Sequence, residues 1–161
     1  MTNANSHDIH VLNGLIRATI DSADGYREAA TGSSDPGHQD LFQTRDGERR
    51  QVAEELSTSV RALGGDPTSE GSLIAKAQRA FGDVSHALLR DELSVVAPVE
   101  SAEDVVRARF EKALEDSHIS ALTRDAIRRA WMKLDGGHEA VRDIKHRLEG
   151  QRDAGNRLFP Q

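Results

Sequence analysis

The chain has 161 residues, which suits one domain with its own hydrophobic core and is short for two domains. Its net charge of −6 and its aromatic content of 4% argue against a nucleic-acid-binding protein, which needs a basic surface and usually stacking rings. The absence of cysteine excludes disulfides, thiolate catalysis, iron–sulfur clusters and cysteine-based zinc sites.

The first ten residues, MTNANSHDIH, have neither the basic segment nor the apolar segment of a signal peptide. No apolar run approaches the roughly 18 residues that a membrane-spanning helix needs. We therefore expect a cytoplasmic protein that has no membrane contact.

Apolar residues recur at spacings of three and four along most of the chain, which is the period of an amphipathic α-helix. Glycine and proline separate the helical segments, and Asp35 and the Gly64–Gly65 pair are typical of a helix start and a helix end. Pro98 is expected to interrupt the third segment, because proline lacks the N–H that a helix interior needs. The predicted helices cover residues 6–30, 36–63, 68–92 with a second piece from 101, and 120–148.

These segments predict an all-α fold, an antiparallel four-helix bundle whose third helix is interrupted near Pro98. The expected organisation is one domain over residues 1–150 followed by a C-terminal tail over 151–161. Leu158 and Phe159 in this tail could pack against the bundle or against a neighbouring chain.

The last helix contains the stretch DGGHEAVRDIKHR, in which a carboxylate precedes a histidine by three residues. At about 100° per residue, His138 falls on the apolar seam, Asp135 lies near its edge and His146 faces solvent. An acid and a histidine at this spacing are a shortened version of the Glu-x-x-His motif with which four-helix di-iron proteins hold metal. The alternative interpretation of His138 is a buried histidine that is hydrogen-bonded to a neighbour.

The second helix carries two arginines, Arg45 and Arg49, on the line of its apolar stripe. An unpaired buried charge is very costly, so both arginines need carboxylate partners. The sequence thus predicts an ion-pair layer through the bundle, with acids drawn from Asp24, Glu48, Glu103 and Asp135.

Several stretches of the chain resemble an uncharacterised bacterial family of ferritin-like four-helix-bundle proteins of unknown function. They are LNGLIRATIDSADGYREAA, DLFQTRDGERRQVAEEL, LGGDPTSEGSL, ESAEDVV and GGHEAVRDIKHR, and together they span nearly the whole chain. The resemblance implies a ferritin-like fold and, by analogy, a di-metal ancestry. It implies an iron or manganese site whose ligands here would be Glu48, Glu103, Asp135 and His138. The ligand pattern is incomplete, because other residues stand where ligands are expected, namely Thr19, Gln51 and Pro98.

Two functions follow from these observations. The first is a non-enzymatic ferritin-like bundle without a resident cofactor, which acts as a homodimer or through another protein and has an internal Arg/carboxylate layer. The alternative is a di-metal protein that binds iron or manganese in iron handling or oxidative stress. A third interpretation is a small-ligand site lined by Arg45 and Arg49.

Overall fold

A computed structural model of the chain describes residues 3–71 and 91–158, and side chains within them except at the first two residues and Gly137. Residues 72–90 of the third predicted helix, which covers 68–92, lie outside the described residues. The described part forms α-helices and no strand, in agreement with the predicted all-α class. The helices are α1 (Asn3–Gly32), α2 (Pro36–Ala62), α3 (Glu92–Glu115), α4 (Ala121–Leu134) and α5 (Gly137–Leu158).

The predicted boundaries of the first two helices are confirmed to within three residues. Asp35 is the N-cap of α2, and its side chain accepts hydrogen bonds from the backbone N–H groups of Gly37 and His38 at 2.8 and 3.1 Å. Pro36 follows at the first helical position, where no N–H is needed. The three-residue connection 33–35 makes α1 and α2 an antiparallel pair.

The Gly64–Gly65 pair ends α2, as predicted. Gly64 has a φ of +83°, a left-handed conformation that favours glycine because it has no Cβ. A Cβ at Gly65 would lie 2.8 Å from a side-chain carbon of Ile9. The pair therefore serves both the backbone turn and the close approach of the chain to α1.

The predicted course of the third segment was wrong at two points. Residues 65–71 are not helical, so no helix begins at Thr68 or Ser69. Glu92 was expected near the end of a helix, but α3 starts there, and the side chain of Asp91 caps its N-terminus. An aspartate before a helix is a favoured N-cap, and this signal was present in the sequence.

Pro98 does not interrupt the third helix, because α3 runs through it. A proline in a helix interior costs roughly 3 kcal/mol. Val95, Val96 and Val99 are buried beside it, and each buried valine contributes about 1.5–3 kcal/mol relative to an exposed one. Tertiary packing thus outweighs the local penalty.

The last predicted helix is divided into α4 and α5, which the sequence interpretation had joined. Asp135 is the C-cap of α4, and Gly136 separates it from α5. Adjacent glycines each weaken a helix by roughly 1 kcal/mol, which explains the break at this position. The tail predicted over 151–161 continues α5 as far as Leu158, with every side chain from 150 to 158 exposed.

The helices pack as a four-membered bundle in which α4 and α5 together form the kinked fourth member. No helix of the described residues is long and apolar enough to cross a membrane. The first core cluster lies towards the start of α1 and includes Leu12, Ile16, Ala18, Val52, Leu56, Val106, Phe110, Ile127 and Leu134. The second core cluster lies towards the end of α1 and includes Tyr26, Ala29, Phe42, Val95, Val96, Val99, Val141 and Ile144.

Candidate functional site

A polar layer separates the two core clusters. Each bundle member contributes at least one buried polar residue between its residues of the first cluster and those of the second. These residues are Thr19 and Ser22 of α1, Arg49 of α2, Glu103 of α3 and His138 of α5. The ion-pair layer predicted from the sequence therefore has a structural counterpart at the middle of the bundle.

The centre of the polar layer is the ion pair between Arg49 and Glu103. Arg49 is 0% exposed, and its Nη2 donates to both carboxylate oxygens of Glu103 at 3.0 Å. Arg49 Nε lies 3.3 Å from Glu103 Oε1, which also accepts from Ser22 Oγ at 3.1 Å. A forked contact of this kind satisfies the desolvated carboxylate and joins α1, α2 and α3.

Tyr26 closes the layer on the side of the second core cluster. Its ring lies 5.5 Å from the guanidinium carbon of Arg49, within cation–π range. Burial, reinforced by the negative charge of Glu103, raises the pKa of Tyr26 far above its ordinary value. The Tyr26 hydroxyl is near Glu103 without a well-formed hydrogen bond in the described structure, and it stays protonated across the physiological range.

Arg45 lies one helical turn before Arg49 on α2, and Glu48 directly precedes Arg49. Arg45 Nη1 donates to Glu48 Oε2 at 2.7 Å, and the same oxygen is 4.0 Å from Arg49 Nη1. The Arg45 side chain is 18% exposed and that of Glu48 is 41% exposed. Arg45 therefore points inward, as predicted, but its partner reaches solvent.

Asp24 was predicted to pair with the inward arginines, and the structure gives it a different partner. Arg50 Nη2 donates to Asp24 Oδ1 at 2.8 Å, and Arg50 Nε lies 2.7 Å from Asp46 Oδ1. The helical wheel gave the direction of each side chain but not which neighbouring cation it would reach.

His138 is buried, with 4% of its surface exposed, as its position on the seam predicted. Arg142 Nη2 donates to His138 Nε2 at 2.7 Å, so Nε2 is the acceptor in this contact. Nε2 is also 3.5 Å from Asp104 Oδ1, whereas Nδ1 has no hydrogen-bond partner in the described part of the chain. His146 is exposed, as expected.

The predicted metal ligands do not come together as a ligand set. Both oxygens of Glu103 accept from Arg49, while Glu48 pairs with Arg45. Asp135 is exposed at the end of α4. Among the described residues, no three His, Asp or Glu side chains are grouped so that they could hold a metal ion. The donor set present here does not fit a di-metal centre, because a guanidinium takes the lone pairs that a metal would need.

Asp8 is a buried carboxylate whose role the sequence interpretation missed. It lies near the start of α1 and contacts the start of α4. Its Oδ2 accepts from Ser120 Oγ at 2.6 Å and Thr123 Oγ1 at 2.7 Å, and its Oδ1 from Ser120 N at 3.2 Å. A signal was present, because Asp8 begins the seam of Leu12 and Leu15 at helical spacing.

Glu92 is the second missed residue, and it attaches the start of α3 to the α1–α2 connection. Its carboxylate accepts from Ser33 Oγ and from Ser34 N at 3.0 Å, and it lies 2.9 Å from His38 Nδ1. Burial alone would raise the pKa of Glu92. The hydrogen bonds from its neighbours outweigh burial and hold this pKa below its ordinary value.

The substitution Glu92→Gln is expected to lower the free energy of unfolding by about 1–2 kcal/mol near neutral pH, because a charged acceptor is replaced by a neutral amide. The folded pKa lies below the unfolded value near 4.5, so ionised Glu92 stabilises the fold above that value. This contribution is lost as the pH falls through the folded pKa.

Urea unfolding of the unmodified protein and of Glu92→Gln over an acidic pH series measures this effect. The difference in unfolding free energy should narrow as the pH falls. The matched control is Glu111→Gln, which changes an exposed pair with Arg107 and should show little difference at any pH. A Glu92→Gln effect of equal size at all pH values would show that the charge of Glu92 does not contribute.

Comparison with solved structures shows the same fold in a mutant of Dps1 from Mycobacterium smegmatis. The TM-score is 0.72 at 13% sequence identity, and the match covers 90% of this chain and 99% of the Dps1 chain. At this identity, the similarity supports the ferritin-like fold alone. No curated protein matches the sequence significantly.

A family model matches residues 7–116, which include most of α1 and all of α2 and α3 with the central Arg49–Glu103 pair. The matched region is more than half of the chain, and it ends before α4. The chain belongs to the family described as a domain of unknown function, DUF2383.

Proposed function

We propose that this protein is a non-enzymatic ferritin-like bundle that acts through association with a second copy of itself or with another protein. The observation that carries the proposal is the fully buried Arg49 and its forked contact with Glu103. A permanent cation of the protein lies at the middle of the bundle, where a di-metal protein of this architecture would place its ligands.

The ion pair favours a structural role for the interior over a catalytic one. Glu103 is surrounded by Arg49 and Ser22, so a metal would have to displace a guanidinium that cannot lose its proton. Displacement would leave a buried arginine without a partner, which is among the most costly changes a core can undergo. The polar layer instead sets which faces of α1, α2 and α3 meet.

Association is supported by apolar side chains on the outside of the bundle. Leu122 and Met132 of α4 are each 73% exposed, and Val105 of α3 is 53% exposed. Val105 and Met132 lie at similar distances along α3 and α4 from the connection 116–120, so they occupy the same level of the bundle. Exposed large apolar residues at one level are typical of an interaction surface when they are contiguous. The proposal places the dimer contact on this α3–α4 face.

Light scattering coupled to size exclusion tests the association. We expect a mass of twice 17.6 kDa for the protein and a monomer mass for the variant Met132→Glu. The control is Met132→Leu, which keeps the apolar surface and should remain dimeric. A monomeric parent protein that also captures no partner through this face would contradict the proposal.

The di-metal alternative rests on the ferritin-like fold and on two buried polar residues at one level of the bundle, Glu103 and His138. Metal analysis of the same protein, purified without an affinity tag, separates the two functions. We expect less than stoichiometric iron and manganese and no change in melting temperature when iron(II) is added. Stoichiometric iron or manganese that is lost in His138→Ala would establish the alternative.

A further inference from the structure

Two buried donor groups of the arginines on α2 remain unused within the described residues. Arg45 Nε and Arg49 Nη1 are both inaccessible to solvent and have no hydrogen-bond partner. Buried donors are normally paired, and each unpaired one costs about 1–3 kcal/mol. Both belong to guanidinium groups that flank the same oxygen, Glu48 Oε2. This oxygen lies 2.7 Å from Arg45 Nη1 and 4.0 Å from Arg49 Nη1.

Glu48 satisfies only some of the hydrogen-bond donors of Arg45 and Arg49. It makes one hydrogen bond to Arg45, and its distance from Arg49 Nη1 is too long for a second. A guanidinium group presents its donors as a planar fork that matches the two oxygens of a carboxylate or phosphate. The two guanidinium groups share one carboxylate oxygen, so some of their N–H donors remain unused. A better-placed oxyanion can accept hydrogen bonds from these donors.

Glu48 can also leave its position at low cost. Its side chain is 41% exposed, so rotation would place the carboxylate in water and not in the core. Arg49 cannot move in the same way, because it is fully buried and held by Glu103. Arg45, at 18% exposure, connects this fixed group to the surface.

We propose that Arg45 and Arg49 form a binding site for a small oxyanion, and that Glu48 occupies this site in competition with the ligand. The preferred ligand is a small carboxylate, since the group now held between the arginines is a carboxylate. The bound anion takes the place of Glu48 Oε2 between Arg45 Nη1 and Arg49 Nη1, and Glu48 turns to solvent. This site is independent of dimer formation and of any metal.

Acetate titration followed by ¹⁵N NMR of the arginine side chains tests the proposal. Ionic strength is kept constant with chloride, and inorganic phosphate forms a second arm that distinguishes carboxylate from phosphate. We expect a saturable shift of the Arg45 Nε resonance in the unmodified protein. In Glu48→Gln, affinity for acetate should rise about fivefold, which corresponds to about 1 kcal/mol, the upper value for a partly exposed ion pair.

The matched control is Glu111→Gln, which frees Arg107 from an exposed pair and should leave the affinity of the Arg45 site unchanged. Adding Arg45→Met to Glu48→Gln should abolish saturable binding, which is followed in this variant through the side-chain resonance of Arg49. The proposal is overturned if Arg45 Nε does not shift in the unmodified protein, if Glu111→Gln raises affinity equally, or if binding survives Arg45→Met. A response to phosphate alone would overturn the preference for a carboxylate.

Discussion

Replacing Arg49 by alanine is expected to lower the free energy of unfolding by about 3–5 kcal/mol. The substitution removes a large fully buried side chain and leaves Glu103 as a buried charge that keeps, among the described residues, the hydrogen bond from Ser22. It also removes the cation that lies against the ring of Tyr26. Urea unfolding followed by circular dichroism measures the change, provided the variant still folds at low temperature.

Two further variants separate the charge from the packing. Arg49→Met combined with Glu103→Leu removes both charges but keeps most of the volume, and it should recover much of the lost stability. Arg107→Ala breaks an exposed pair with Glu111 and should leave stability nearly unchanged. If Arg49→Ala cost less than about 0.5 kcal/mol, within the range of an ordinary surface substitution, Arg49 would not be the centre of the bundle.

The double variant also bears on function. If it folds and has the same oligomeric state and metal content as the parent protein, the ion pair serves the structure and not a reaction. If the double variant forms several oligomers or loses a unique fold, the pair specifies which helix faces meet.

Sequence periodicity predicted the directions of side chains well. The inward positions of Arg49 and His138 and the outward position of His146 are confirmed. Each depends only on the angle of about 100° between successive residues, which is a local property of the helix. The caps at Asp35 and Gly64 were also predictable, because they depend on one side chain or one dihedral angle.

The partners of these side chains were not predictable in the same way. Glu103 was one of four candidate acids for Arg49, and Asp24 reached Arg50 instead. A helical wheel gives the angle of a residue but not its level relative to residues on other helices. Levels follow from where each helix starts, and the predicted starts were wrong for the third segment.

Pro98 shows how tertiary packing overrides a local rule. The proline predicted an interruption, yet Val95 and Val99 on the same helix are buried and outweigh the lost hydrogen bond. The predicted break also affected the interpretation of the metal site, because Pro98 was counted as a position where a metal ligand is missing. In the continuous helix, Glu103 reaches the centre of the bundle, and Arg49 is its partner.

Asp8→Ala is expected to lower the free energy of unfolding by about 2–4 kcal/mol. It removes the acceptor for Ser120 Oγ, Ser120 N and Thr123 Oγ1, three donors at the N-terminus of α4. The negative charge also lies at the positive end of the α4 dipole, where it is favourable. Because Asp8 is on α1, its loss uncouples two helices that are distant in sequence.

The region that Asp8→Ala destabilises distinguishes the role of Asp8 at the start of α4 from a general loss of packing. Amide hydrogen exchange should accelerate most in the first turn of α4, around Thr123, and in the connection before it. Asp8→Asn keeps part of the acceptor capacity and should lose about half as much stability as Asp8→Ala. Asp125→Ala, on the exposed face of the same helix, is the matched control and should change little. Uniform acceleration across all helices would show that Asp8 supports the whole core and not the start of α4.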